Sequence, residues 1–399
     1  MIEERDIVQE EYVENQATGV EVEKTDSETR GDKPWNPNDI RVDPKTFSLR
    51  QIIDMINDRE IDLAPDFQRH RVWKQLQKSR LIESILLRIP LPAFYFSADK
   101  DGKMQVVDGL QRLSTISSFA KGEFSLDNLE YLQADLGGKH FADLKDSVWA
   151  RRLHQTQIFV NVIDPQTPIK VKFDIFKRIN TGGEPLNAQE IRHCMSQKTS
   201  RDFLKSCTEL QSFRQAGAAA GLVEHVRMAD REVVLRFCAF YMLASLEEYG
   251  ATESMDVFLT EATERLDRMS QSELGSLRQA LDKALMNAQK LFGEYAFRKW
   301  PASKGTVRLN PLNKALFEAW TVGLARHDWN ELEPRGKDIV KAAREVMRDD
   351  RAFNEAISIG TGDLRKVKLR FLMVQEILQK AGTKQPLRQS EELLEVSRS

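Results

Sequence analysis

The chain has 399 residues, of which 41% are hydrophobic and 8% aromatic, so it is long enough for two or three domains with buried cores. Its three cysteines include no Cys-x-x-Cys pair and its six histidines have no metal-ligand spacing, which argues against a disulfide framework and a structural zinc site. Residues 1–28 carry a net charge of −8 out of a total of −2, which leaves +6 for residues 29–399; this split is compatible with an anionic partner, although a solvated tail on an ordinary body is the simpler interpretation.

The N-terminal part of the sequence predicts an acidic tail followed by a helix. Residues 1–40 are polar and aperiodic, which is typical of a mostly disordered segment. Order is expected to begin near Phe47, because apolar residues then recur at helical spacing from Leu49. Ser48 and Gln51 have the spacing of a capping box at the start of that helix.

The next elements are predicted to surround a single Asp-Gly pair. A helix that contains Leu81 is expected to stop at Pro90, since proline cannot continue a helix. Strands are expected at residues 93–97 and 104–107, joined by a tight turn at residues 99–102. A helix should follow at residues 110–120 and end at Lys121-Gly122.

The remaining sequence predicts one more strand and then only helices. The strand covers residues 157–163, and Pro168 opens the helix that follows it. Asn187 and Glu190 have capping-box spacing at the start of another helix, and from about residue 200 apolar residues recur only at helical spacing. The sequence therefore predicts an α+β protein with these parts: a tail at residues 1–40, an α/β domain at 41–198, an all-helical domain at 199–382 and a loose C-terminal tail at 383–399.

One segment has the pattern of an anion-binding turn: Asp108-Gly109-Leu110-Gln111-Arg112. A strand ends, glycine allows a tight turn, and the helix that begins there offers N–H groups and the positive end of its dipole to an anion. Arg112 supplies a planar fork suited to phosphate and is expected to face a ligand rather than the core, while Asp108 is a candidate to hold a metal ion or a water. An ordinary Asp-Gly turn with a surface arginine is the competing interpretation.

Two further segments contain polar residues that could contact a ligand. In the first, a Gln-Arg pair stands between Phe67 and Trp73, which are expected to be packing residues. In the second, paired glycines after a helix would let the backbone approach a ligand closely, although a plain helix-to-helix turn fits as well. The candidate ligand contacts are Gln68, Arg69, Arg178, Asn180, Gly182 and Gly183.

In their order, these segments resemble the N-terminal domain of GmrSD-type restriction proteins, over about residues 47–195. The matching motifs are Asp-Phe-Gln-Arg…Trp, Leu-Ile-Glu-Ser-Ile-Leu, Ile-Pro-Leu-Pro, Asp-Gly-x-Gln-Arg and Arg-Ile-Asn-Thr-Gly-Gly-x-Pro-Leu. The resemblance implies a ParB/sulfiredoxin-like fold for this α/β domain. One position departs from the family pattern, because Leu110 stands where the family usually has glutamine. If that glutamine contacts the ligand, affinity or nucleotide choice would be altered.

The resemblance also implies a function in bacterial restriction or anti-phage defence. The domain would bind and hydrolyse a nucleoside triphosphate (NTP) with Mg²⁺, with Asp108, Gln111 and Arg112 as catalytic residues and Asp108 as the candidate metal ligand. No HNH pattern or acidic nuclease cluster is evident in the sequence of the expected folded region, so cutting of DNA is assigned to a separate effector nuclease.

Two alternative functions stay open. One is a DNA-binding or DNA-nicking protein, in which the same arginines grip the nucleic-acid backbone. The other is a non-catalytic nucleotide sensor. The start of the sequence has no secretory pattern and no apolar run is long enough for a membrane span, so we expect a cytoplasmic protein with no membrane partner.

Overall fold

A computed structural model describes residues 8–13, 16–24, 36, 40–63, 73–99, 101–179, 186–218, 227–252, 254–300 and 309–382. These residues form an α+β protein, as the sequence predicts, with a five-stranded sheet, a two-stranded hairpin and many helices. The chain divides into two compact units, one of residues 34–195 and the other of residues 1–33 with 196–399. We call them the sheet unit and the helical unit.

The sheet unit is built on a mixed five-stranded sheet. In their order across the sheet, the strands are β3 (Val42–Ser48), β7 (Gln157–Ile163), β5 (Phe94–Ala98), β6 (Met104–Asp108) and β4 (Ile61–Asp62). The β3–β7 and β5–β6 pairs are antiparallel, whereas β5–β7 and β4–β6 are parallel. The β5–β6 hairpin and β7 confirm the strands that the sequence predicts there.

Helices cover both faces of this sheet. They are α1 (Leu49–Asn57), α2 (Gln75–Leu86), α3 (Leu110–Ala120), α4 (Gln133–Leu136), α5 (Val148–Gln155), α6 (Ile169–Ile179) and α7 (Ala188–Met195), with a 3-10 turn at Phe141–Leu144. Successive strand residues point to opposite faces. Val106 accordingly packs in the core beside α1, α2 and α3, while Val107 packs with Phe176 of α6 and Ile191 of α7.

The helical unit contains the second and larger core. Its helices are α8 (Lys198–Thr208), α9 (Gln211–Ala218), α10 (Ala229–Tyr241), α11 (Leu246–Gly250), α12 (Met255–Asp267), α13 (Gln271–Phe292), α14 (Lys314–Ala325), α15 (Trp329–Leu332), α16 (Gly336–Asp349), α17 (Arg351–Ala356) and α18 (Leu364–Lys380), with 3-10 turns at Gly293–Tyr295 and Glu333–Arg335. In the described residues from 196 onward there is no strand, as the helical spacing predicts. No described helix is both long and apolar enough to cross a membrane.

The N-terminal segment differs from its prediction. Strands β1 (Glu10–Val13) and β2 (Gln16–Glu21) form an antiparallel hairpin that belongs to the helical unit, and Val20 is fully buried there. The expectation of a mostly disordered tail over residues 1–40 is therefore wrong for residues 8–13 and 16–24. Order also begins before Phe47, because β3 starts at Val42. In both cases the segment is held by partners distant in sequence, which local composition does not reveal.

Candidate functional site

Asp108 and the strand that precedes the Gln68–Arg69 segment share one edge of the sheet. β4 runs parallel to β6, with Asp62 opposite Gln105. The chain that leaves β4 therefore enters residues 64–72 from the edge at which β6 ends at Asp108. β5 is antiparallel to β6 and begins at this edge, with Tyr95 opposite Asp108. We call it the Asp108 edge.

The described residues on both sides of the third segment lie in the same part of the sheet unit. Near the end of α6, Phe176 packs in a buried cluster with Val107, the residue before Asp108. Leu186, which precedes α7, packs against that cluster as well. The described residues that flank the α6–α7 connection therefore pack next to the last residues of β6.

The structure describes about half of the candidate ligand contacts. Those it describes are Asp108, Gly109, Gln111, Arg112 and Arg178, and those outside the described residues are Gln68, Arg69, Asn180, Gly182 and Gly183. Arg178 is exposed in the last turn of α6, and Gln111 is half-buried in the first turn of α3. Trp73 packs against the core of the sheet unit, as expected of a packing residue.

Gly109 cannot be replaced by a larger residue without strain, for two independent reasons. Its φ of +95° lies in the left-handed region, which residues with a Cβ avoid. A Cβ at this position would also lie 2.2 Å from Cδ1 of Phe94. Gly109 is the N-cap residue of α3 and has no side chain to cap the helix. The positive end of the helix dipole therefore has no capping side chain from this position.

The Arg112 guanidinium holds together the chain segments that form this edge. Its Nη2 donates to Oδ2 of Asp108 at 2.9 Å and to the carbonyl oxygen of Ala93 at 3.2 Å, and its Nη1 donates to the carbonyl oxygen of Pro92. The guanidinium carbon also lies 4.1 Å from the centre of the Phe94 ring. The expectation that Arg112 faces a ligand rather than the core is therefore wrong in part, because its side chain is only 12% exposed.

Burial lowers the pKa of Arg112 below its ordinary value, although the neighbouring carboxylate of Asp108 opposes this shift. An arginine stays charged at neutral pH even so. The guanidinium therefore places a fixed positive charge beside Asp108, one turn into α3.

The Asp108 carboxylate is 35% exposed and has one oxygen paired with Arg112. In the parts of the chain that the structure describes, no group of three or more His, Cys, Asp or Glu side chains could hold a metal ion. Mg²⁺ at nucleotide sites is commonly held by one or two carboxylates together with phosphates and waters. A single carboxylate such as that of Asp108 has the chemistry to bind Mg²⁺ together with a phosphate ligand.

Sequence reasoning missed Glu83 of α2, which organises a loop in the sheet unit. Its carboxylate is 3% exposed and accepts three backbone N–H groups, from Glu130 at 2.9 Å, Tyr131 at 2.7 Å and Leu132 at 2.8 Å. Burial alone would raise the pKa of this carboxyl, but the three donors outweigh burial and the pKa lies below its ordinary value of 4.5. A lone Glu on an amphipathic helix gives no sequence signal of this role.

Glu83→Gln is expected to lower the free energy of unfolding by about 2–3 kcal/mol at pH 7, because the neutral amide loses the charge that strengthens these bonds and turns an NH2 group toward at least one of the three N–H donors. The folded-state pKa is depressed, so the stabilising contribution is present above pH 4.5 and is lost as the pH falls through the folded-state value. Urea denaturation of both proteins from pH 7 to pH 3 measures this. If the difference in free energy of unfolding between the two proteins stayed constant or grew at acidic pH, the role given to Glu83 would be contradicted.

Residues 50–196 match the family model described as GmrSD restriction endonuclease, N-terminal domain. The matched range covers the sheet unit from α1 to the end of α7, and it includes the Asp108 edge and all three motif segments. The resemblance drawn from the motifs is therefore confirmed. No curated protein matches the chain.

Proposed function

We propose, from the match of residues 50–196 to the GmrSD restriction endonuclease N-terminal domain model, that the protein is the NTP-binding and NTP-hydrolysing component of a bacterial restriction or anti-phage system. A partner effector nuclease would act on the DNA. The observation that carries the proposal is that the Asp108 edge holds the Asp108–Arg112 turn together with the end of β4 and the facing ends of α6 and α7, which flank the other two motif segments. The mixed sheet followed by α3 also supports a ParB/sulfiredoxin-like fold for this unit.

The residues of this edge have chemistry that suits a triphosphate. The N-terminus of α3 would receive a phosphate, and Gly109 lets the phosphate oxygens approach the backbone. Arg112 would fix the position of Asp108 and add positive charge, and Asp108 would hold Mg²⁺ or orient a water. Mg²⁺, when bound, would neutralise charge on the phosphates. The residues that would complete the pocket are Gln111, Gln68, Arg69, Arg178, Asn180, Gly182 and Gly183.

The proposal predicts that Asp108→Asn separates NTP binding from turnover. The amide oxygen of asparagine can still accept the bond from Arg112, so the edge keeps its shape while the carboxylate charge is lost. We expect NTP affinity to change little and phosphate release to fall by about 100-fold or more, the usual size of an acid–base or metal-positioning contribution. Phosphate release from ATP, GTP, CTP and UTP with Mg²⁺, with and without DNA, measures turnover.

Asp99→Asn is the matched control, because Asp99 lies in the β5–β6 turn at the opposite edge of the sheet. Its turnover should equal that of the unchanged protein. Equal turnover by Asp108→Asn would remove Asp108 from the mechanism. Saturable binding without any turnover would identify a non-catalytic sensor, and steeply salt-dependent DNA binding without nucleotide would identify a DNA-binding protein. Plasmid included in these reactions should stay uncut.

A further inference from the structure

The N-terminal hairpin pairs through its backbone with residues 312 and 360 of the helical unit. We call residues 8–13 and 16–24 the strap. The backbone of the strap is held by three bonds: Glu21 N–H donates to the Leu312 carbonyl, Leu312 N–H to the Gly19 carbonyl and Gly360 N–H to the Lys24 carbonyl, each at 2.8 Å. Such main-chain pairing recognises an extended polypeptide, whatever its side chains.

The first strap carboxylate enters a polar recess. Glu21 Oε1 accepts from Lys299 Nζ at 2.5 Å, and its Oε2 accepts from Asn313 Nδ2 at 3.0 Å. Lys299 also donates to the hydroxyl of Ser358, and Asn313 to the carbonyl of Ile357. The two donors of the recess, Lys299 and Asn313, are therefore held in place by further hydrogen bonds of their own.

The second strap carboxylate meets a buried arginine. Glu23 accepts two bonds from Arg236, at 3.0 and 2.6 Å, and one from the hydroxyl of Thr361 at 2.7 Å. Burial alone would raise the pKa of Glu23, but Arg236 and Lys314 outweigh burial and the pKa lies below its ordinary value. The paired fork of an arginine selects a carboxylate at this position.

Without the strap, the buried charge network of the helical unit contains more basic than acidic side chains. Outside the strap, this network comprises four basic and two acidic residues: Lys299, Arg236, Lys314, Arg370, Glu232 and Glu318. The strap adds the three carboxylates of Glu11, Glu21 and Glu23. Arg236 is 4% exposed and Lys314 is 8% exposed, so their charges are screened little by water. The carboxylates of the strap therefore balance the positive charge of the residues around it. We call the surface formed by these surrounding residues the groove.

We propose that this groove is a binding site for an extended acidic peptide, that the strap is its resident ligand, and that an acidic strand of a partner protein can displace the strap. The ligand pattern is a small residue, a buried apolar residue and two carboxylates at alternate positions, as at Gly19, Val20, Glu21 and Glu23. The described residues of the strap form two strands and no helix. The strap can therefore leave the groove without breaking the backbone of any helix.

The effective concentration of the tethered strap favours a partner strand over the strap of a second copy as the displacing ligand. A tethered strap is present at an effective concentration on the order of millimolar. A second copy offers the same sequence at a far lower concentration, so exchange between copies gains nothing. A partner must instead present a strand that matches the two carboxylate recesses more closely.

The test uses the full chain with a site-specific protease site inserted between Asp26 and Asp32. After cleavage of the folded protein, a labelled peptide of residues 8–24 in excess should exchange with the cut strap and bind saturably. A peptide carrying Glu21→Gln and Glu23→Gln should bind at least about 30-fold more weakly, because each carboxylate makes charge-assisted bonds. A scrambled peptide of equal charge should not compete, since it cannot place both carboxylates.

Thr361→Val in the cleaved protein is the matched variant of the groove, because it removes one bond to Glu23 and keeps the side-chain shape. We expect about fivefold to tenfold weaker binding of the natural peptide and no change for a Glu23→Ala peptide, which has no side-chain oxygen to accept this bond. Failure of excess peptide to exchange would make the strap a permanent structural part and overturn the proposal, as would equal binding of the scrambled peptide. Strap-exchanged dimers of the uncut chain at micromolar concentration would also overturn it, by assigning the groove to a second copy.

Discussion

Replacing Glu318 by alanine is expected to lower the free energy of unfolding of the helical unit by about 3–5 kcal/mol. Glu318 is fully buried in α14. Its Oε1 accepts from Nε of Arg370 at 2.9 Å and its Oε2 from Nη1 of Arg236 at 3.3 Å. Arg370 is also fully buried, and arginine cannot shed its proton in a protein. Removal of the carboxylate would therefore leave a guanidinium buried without a counter-charge.

Chemical denaturation followed by circular dichroism measures this effect. Glu318→Gln, which keeps the side-chain volume, separates the loss of charge from the loss of packing. Glu355→Ala is the matched control, because Glu355 forms a 3.0 Å pair with Arg351 on the surface, where such pairs contribute about 1 kcal/mol or less. Similar denaturation midpoints for Glu318→Ala and Glu355→Ala would show that the buried network does not stabilise this unit.

The same network explains why the N-terminal segment was predicted wrongly. A run of glutamates without apolar periodicity has the composition of a disordered tail. Glu23 is ordered by Arg236, which lies 213 residues further along the chain, and Glu21 by Lys299, which lies 278 residues away. No window of local sequence contains both partners, so only the folded structure reveals the pairing.

Elements with local signals were predicted closely. Helix α3 occupies residues 110–120 as expected, because Gly109 sets its start and the turn at Gly122 its end. At α7, Asn187 and Glu190 exchange the two capping-box bonds at 2.7 and 2.8 Å. Each of these signals lies within a few residues of the feature that it specifies.

The candidate site required more than local signals. The motifs identify which segments carry polar residues, but their order along the chain does not say that they meet. The described flank of the first segment reaches the Asp108 edge through β4, a strand of two residues that exists through its parallel pairing with β6 and has no periodicity of its own. The orientation of Arg112 was likewise beyond local reasoning, since its acceptors at Pro92 and Ala93 belong to the neighbouring strand segment.

Gly109→Ala is expected to lower the free energy of unfolding by about 2–5 kcal/mol and to abolish NTP binding. A left-handed backbone costs a residue with a Cβ about 1–2 kcal/mol. The added methyl group would lie 2.2 Å from Cδ1 of Phe94, and such overpacking costs a further 1–3 kcal/mol, roughly. Phe94 is fully buried and also carries the Arg112 guanidinium on its ring, so its displacement would disturb the Arg112–Asp108 pair as well.

Gly102→Ala is the control that separates the cost of the left-handed backbone from the cost of overpacking against Phe94. Gly102 has a φ of +83°, close to that of Gly109, but nothing lies within 4 Å of an added Cβ. It should therefore show only the backbone cost, about 1–2 kcal/mol, with NTP binding unchanged. Thermal unfolding and titration with labelled NTP measure both effects. If the two variants lost equal stability and both still bound NTP, the close approach of Gly109 to Phe94 would have no part in shaping the Asp108 edge, and the phosphate would have to bind elsewhere in the unit.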